Sequence, residues 1–175
     1  GHRQKKRWVP GYWSGDQFIY DPSAKTGMML SDKIIGTTSF GVEWKKYTGH
    51  KYAYYLNSNT VGLHLAVKIL KMENGWNDGD EIITSPITFV STNLAVVYEN
   101  MRSVFADVDE YLCIDPEDVE RKITDKTRAV IFVGYGGRVG QLDQVIRICK
   151  KHGLKLILDA AHMSGHSFSL EHTAG

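Results

Sequence analysis

From residue 39 onward, short apolar runs alternate with segments of helical period, and that alternation leaves few architectures open. Residues 128–133 and 154–158 are apolar runs of the kind found in strands covered on both faces of a sheet. Between them Leu142, Val145, Ile146 and Cys149 recur at helical spacing, which predicts a helix over 141–152 that Gly153 stops. Upstream, strands are predicted at 51–56, 81–85 and 103–107. Helices are predicted through Phe40, Trp44 and Tyr47, through Leu63, Ala66, Val67 and Leu70, over 91–99, and from Asp115-Pro116 through Val119 and Ile123. Such alternation implies an α/β fold, three layers in the order α/β/α, with a mainly parallel sheet and right-handed crossovers.

Residues 1–30 hold neither a period of 2 nor one of 3.6. They mix Arg3, Lys5, Lys6 and Arg7 with Trp8, Tyr12, Trp13, Phe18 and Tyr20. Residues 1–38 are therefore read as an irregular N-terminal arm, with 39–175 forming one domain. Charge gives no case for nucleic acid or membrane as the main partner, since Lys+Arg number 21 against 20 Asp+Glu. Two cysteines, Cys113 and Cys149, exclude a disulfide framework. No apolar run nears the ~20 residues of a membrane span, and no signal peptide is evident, which points to a cytoplasmic setting. The histidines and cysteines have no spacing that suits a metal.

In sheets of this kind ligands bind beyond the carboxyl ends of the strands. Asn57-Ser58-Asn59-Thr60 stands at a helix N-terminus, where free amides and two hydroxyls suit either a phosphate or an ordinary cap. Asn59 also tolerates a positive φ. Asp159 ends an apolar strand, so its carboxylate needs a partner, whether structural or functional. His162 would share its side if the chain turns helical there. Phe89, taken alone, reads as a core residue. A rival lies in Gly134, Gly136, Gly137 and Gly140 followed by Asp159, which imitates a dinucleotide fingerprint although Val139 occupies its third glycine position.

Taken in order, these blocks resemble one family. The run from Asn57 to Ala66 is similar to the "S-G-T-A-A-L-H-L-A" block of the DegT/DnrJ/EryC1/StrS sugar aminotransferases. Gly79-Asp80-Glu81-Ile82-Ile83 is similar to "G-D-E-V-I", and the run from Pro86 to Thr92 to "P-x-x-T-F-x-A-T". Asp107-Val108-Asp109, Ile114-Asp115-Pro116 and Tyr135-Gly136-Gly137 also fit, and Asp159-Ala160-Ala161-His162 resembles "D-A-A-Q/H". The resemblance implies the large domain of a pyridoxal phosphate (PLP) transferase of fold type I. It implies a reaction moving an amino group from glutamate to a keto-sugar nucleotide, usually in a homodimer. It places Ser58, Asn59 and Thr60 at the cofactor phosphate, Phe89 on the ring, Asp159 at the ring nitrogen and His162 by the ring hydroxyl. Asn59 stands where the family block has Gly. The family's catalytic Lys, replaced by His in a branch that dehydrates sugars, lies well downstream of the Asp-Ala-Ala block, and residues 160–175 contain no lysine. The chain is thus expected to be a truncated large domain that does not transaminate alone. The alternatives are a non-catalytic remnant that binds PLP or a sugar nucleotide, and an NAD-type Rossmann domain.

Overall fold

The computed structural model describes residues 6–14, 17–20, 27–31, 39–50, 52–54 and 56–166. These fall into two compact units, one ending at Tyr55 and the other beginning at Leu56. In the first, β1 (Lys6–Ser14), β2 (Gln17–Tyr20) and β3 (Gly27–Ser31) form an antiparallel sheet in the order β2-β1-β3. The described part of the stretch read as an irregular arm is therefore regular. β1 pairs with β3 through residues 6–10 and with β2 through residues 11–14. Pro10 lies where one ladder hands over to the other, a place where a strand tolerates a missing amide hydrogen. Pro10 and Gly11 at that switch break the alternation from which the strand could have been read. Helix α1 (Ser39–Thr48) follows, ended by Gly49 at φ 75°.

The second unit runs α2 (Asn59–Asn74), β4 (Glu81–Thr84), α3 (Val90–Val97), β5 (Arg102–Phe105), α4 (Pro116–Arg121), β6 (Thr127–Val133), α5 (Leu142–His152) and β7 (Lys155–Asp159). Each predicted helix and strand of this unit is present within a few residues of its expected bounds. The strand expected at 51–56 is not: residues 52–54 and 56 carry no strand, and 51 and 55 lie outside the described residues. The described residues 52–54 and 56 follow the Gly49 turn without regular structure.

The four strands are parallel in the order β5-β4-β6-β7. Strand geometry sends alternate side chains to opposite faces, and two cores result. Ile82, Ala129, Ile131 and Val133 meet Leu63 and Val67 of α2 and Ala95 and Val96 of α3. Ile83, Val130 and Phe132 meet Val119 of α4 and Leu142, Val145 and Cys149 of α5. The unit is thus the expected three-layer α/β/α sandwich. The connection leaving β4 runs over one face and the connection leaving β6 over the other. That divergence opens a crevice at the carboxyl edge between them.

At the opposite edge the sheet is pinned by charge. Arg128 donates Nε–H to Asp80 Oδ2 at 2.8 Å and Nη2–H to Asp80 Oδ1 at 3.2 Å, and the Asn77 amide donates to Oδ2 at 2.9 Å. The Arg128 guanidinium holds the Asp80 carboxyl below its usual value. A carboxyl lowered in the folded state stabilises it above the unfolded value of about 3.9, and that stability is lost as the pH falls through the folded value. We therefore expect Asp80→Asn to lower the urea midpoint by a constant amount above about pH 5, with the gap to the parent protein closing below about pH 4. Denaturation curves at pH 7, 5, 4 and 3 check this.

Candidate cofactor site at the carboxyl edge

Asp159 is the last residue of β7 and pairs with Val133, the last residue of β6. It is 5% exposed. A carboxylate so placed needs donors, and it has three. Asn59 Nδ2 donates to Oδ1 at 3.0 Å, the Ala161 amide to Oδ1 at 3.3 Å, and Thr92 Oγ1 to Oδ2 at 2.9 Å. Thr92 is wholly buried on the first turn of α3. Its proton is committed to Asp159, so in its 2.8 Å contact with Thr88 the Thr88 hydroxyl is the donor. A relay Thr88 to Thr92 to Asp159 results.

The start of α2 lies beside this acid. Ser58 caps the helix, its Oγ accepting the Val61 amide at 3.3 Å. The amides of Asn59 and Thr60 are among those that a helix start leaves unpaired. Asn59 is the first residue of the helix and is not among the residues of positive φ. The tight turn allowed for at that position is not formed; Asn59 is helical, and its side chain reaches Asp159.

Phe89 precedes α3 and is 72% exposed, so it is not the core residue its isolation suggested. His162 does not reach Asp159 by helical spacing, because residues 160–165 form turns rather than a helix. Its Nδ1 accepts the Gly136 amide at 3.2 Å. The neutral ring then carries its proton on Nε2. The Tyr135 ring packs edge-on against it at 5.9 Å.

The turn carrying His162 is held by Met163, which is wholly buried. A Cβ on Gly134 would lie 2.0 Å from Met163 Sδ. At Gly140, with φ 43°, a Cβ would lie 2.6 Å from Cys113 Cβ. Two of the glycines that imitate a dinucleotide fingerprint, Gly134 and Gly140, thus have packing roles. No α-helix begins until Leu142, so the loop after β6 is not the strand-to-helix phosphate turn which that reading requires.

Asn59, Thr60, Phe89, Asp159 and His162 all line one cavity of about 230 Å³. Ser58 stands just outside its lining, at the helix cap. Thr88, Ser91 and Tyr135 also line it and were not anticipated, nor was the buried Thr92 behind them. Thr88 and Thr92 sit four apart across a helix start, a spacing from which their pairing could have been read. Nothing local marks Asn59 as the partner of a residue 100 positions away.

The cavity suits a flat, phosphorylated, nitrogen-bearing ring. Helix amides lie at one part of its wall, an exposed aromatic face at another, and a buried acid with acceptor capacity to spare at a third. The fold matches that of PLP-dependent aminotransferases of fold type I over about a third of their chains. The model of the DegT/DnrJ/EryC1/StrS aminotransferase family matches residues 30–174, and the chain belongs to that family. The spore coat polysaccharide biosynthesis protein SpsC of Bacillus subtilis is 40% identical over 124 residues, which are 70% of this chain and 31% of that protein. Helicobacter pylori PseC, an aminotransferase involved in the biosynthesis of pseudoaminic acid, superposes with a TM-score of 0.68 at 29% identity, over 75% of this chain and 35% of that one. A GDP-4-keto-6-deoxymannose-3-dehydratase with a trapped PLP-glutamate geminal diamine superposes with a TM-score of 0.69 at 26% identity, over 74% and 34%. The chain spans about a third of the length of the curated relatives it matches.

Removing the carboxylate leaves Asn59, Thr92 and the Ala161 amide without their acceptor. An orphaned buried donor costs about 1–3 kcal/mol. Asp159→Ala is expected to lose about that much stability in urea denaturation. An unchanged midpoint would mean that water takes the place of the carboxylate.

Proposed function

We propose that this chain supplies one cofactor-binding wall of a PLP-dependent aminotransferase of the nucleotide-sugar type, which moves an amino group from glutamate to a keto-sugar nucleotide. The observation that carries the reading is the convergence of Asp159, Phe89 and the start of α2 on one cavity. The relatives named above, a polysaccharide biosynthesis protein and a GDP-4-keto-6-deoxymannose-3-dehydratase, support the substrate class.

In this reading the amides of Asn59 and Thr60 and the Thr60 hydroxyl would hold the phosphate, with Ser58 fixing the helix start. Phe89 would cover the ring. Asp159 would keep a proton on the ring nitrogen, and His162 Nε2–H would face the ring hydroxyl. Bound PLP supplies an electron sink for the carbon from which the amino group leaves. The relay from Thr88 through Thr92 keeps Asp159 oriented and supplied with donors.

Among the described residues no lysine lines the cavity. Lys68 pairs with Glu99 and Lys71 with Asp78, both more than two turns along α2 from Asn59. Lys150 and Lys151 close α5 and Lys155 opens β7, at the sheet edge opposite the site. We infer that residues 56–166 bind the cofactor but do not supply the amine that would tether it.

Titrating the full chain with PLP, followed by absorption, tests both parts. Binding is expected to saturate, to be competed by inorganic phosphate, and to weaken about tenfold in Thr60→Ala, as for loss of one charge-assisted hydrogen bond. Borohydride reduction should label no single lysine stoichiometrically. Binding indifferent to phosphate and to Thr60→Ala would overturn the site. One stoichiometrically labelled lysine, with glutamate-dependent formation of pyridoxamine phosphate, would overturn the missing amine.

A further inference from the structure

We propose that Asn59 is a positioning residue: its side-chain amide, with the Thr92 hydroxyl, fixes the Asp159 carboxylate so that a single acceptor position, on Oδ2, is left facing the cavity. The inference rests on the reading of that cavity as a cofactor site.

An ionised carboxylate offers about four acceptor positions. On Oδ1 one is taken by Asn59 Nδ2 at 3.0 Å and one by the Ala161 amide at 3.3 Å, and on Oδ2 one is taken by Thr92 Oγ1 at 2.9 Å. The two oxygens are thereby made unequal. Oδ1 is spent within the protein, and Oδ2 keeps the position that a ring N–H would use.

Helix formation does not explain Asn59. The cap is Ser58, one residue earlier, and asparagine ranks low among helix formers once inside the first turn. What Asn59 adds is a contact from the start of α2 to the end of β7, across 100 residues of sequence. The helix start, whose amides would meet the phosphate, and the acid, which would meet the ring nitrogen, are thus held at a fixed spacing before any ligand arrives. A ligand that fits both ends then has less ordering to impose on the protein.

The test uses the full chain, with Asn59→Ala, Thr92→Val and Thr92→Ser, and inorganic phosphate and PLP as probes. Phosphate affinity is expected to stay within about twofold in all three, since none removes a helix amide. PLP affinity is expected to fall about tenfold in Asn59→Ala and Thr92→Val and to be restored in Thr92→Ser, which keeps the hydroxyl. The pH at which the absorption of bound PLP changes through its ring nitrogen should move down in the first two variants and return in the third. In ligand-free protein, the urea midpoints of Asn59→Ala, Asp159→Ala and the double variant should combine non-additively. Equal losses of phosphate and PLP affinity in Asn59→Ala, with an unmoved spectral profile and additive midpoints, would overturn the proposal and leave Asn59 as part of the helix start. A parent protein that binds phosphate but not PLP would instead overturn the cofactor reading itself.

Discussion

A negative charge buried at the end of a strand is the constraint around which this unit is arranged. Taking a carboxylate out of water is affordable only when donors replace the water. The donors of Asp159 come from three places: the start of α2, the first turn of α3 and the turn after β7. Each of these must be in place for the acid to be tolerated, so the arrangement of the carboxyl edge and the stability of the sheet are linked. The hydrophobic cores could be satisfied by several loop conformations. The acid accepts few.

The sandwich supplies the rest of the geometry. Because the strands are parallel, all four end at one edge, and the segments that follow them share one rim. Because α2 and α3 cover one face while α4 and α5 cover the other, the connections part above β4 and β6 and leave space there. The ion pair of Asp80 with Arg128 holds those same two strands together at the far edge. One edge is thus closed by charge pairing and the other left open around a charge.

The alternation of apolar runs with helical periods made the sandwich legible, because both faces of the sheet are covered and β6 is apolar almost throughout. The acid, the aromatic and the helix start were legible as residues that follow strands. What escaped was whatever depends on distant pairing. Asn59 looked like a turn residue until Asp159 appeared beside it. Phe89 looked like core because sequence does not say which way a residue between a strand and a helix faces. The antiparallel sheet of β1, β2 and β3 escaped because Pro10 and Gly11 sit at its ladder switch. The strand expected at 51–56 is not formed at its described residues, 52–54 and 56.

Met163 fills the space where Gly134 lacks a side chain, and it does so with a thioether rather than a polar network. The turn that presents His162 is therefore fastened by an oxidisable group. The sulfur is out of reach of solvent. Conversion to the sulfoxide makes the side chain polar and unsuited to an apolar slot. Oxidation of Met163 would therefore put a polar group into the one space that Gly134 leaves for it, at the turn that carries His162.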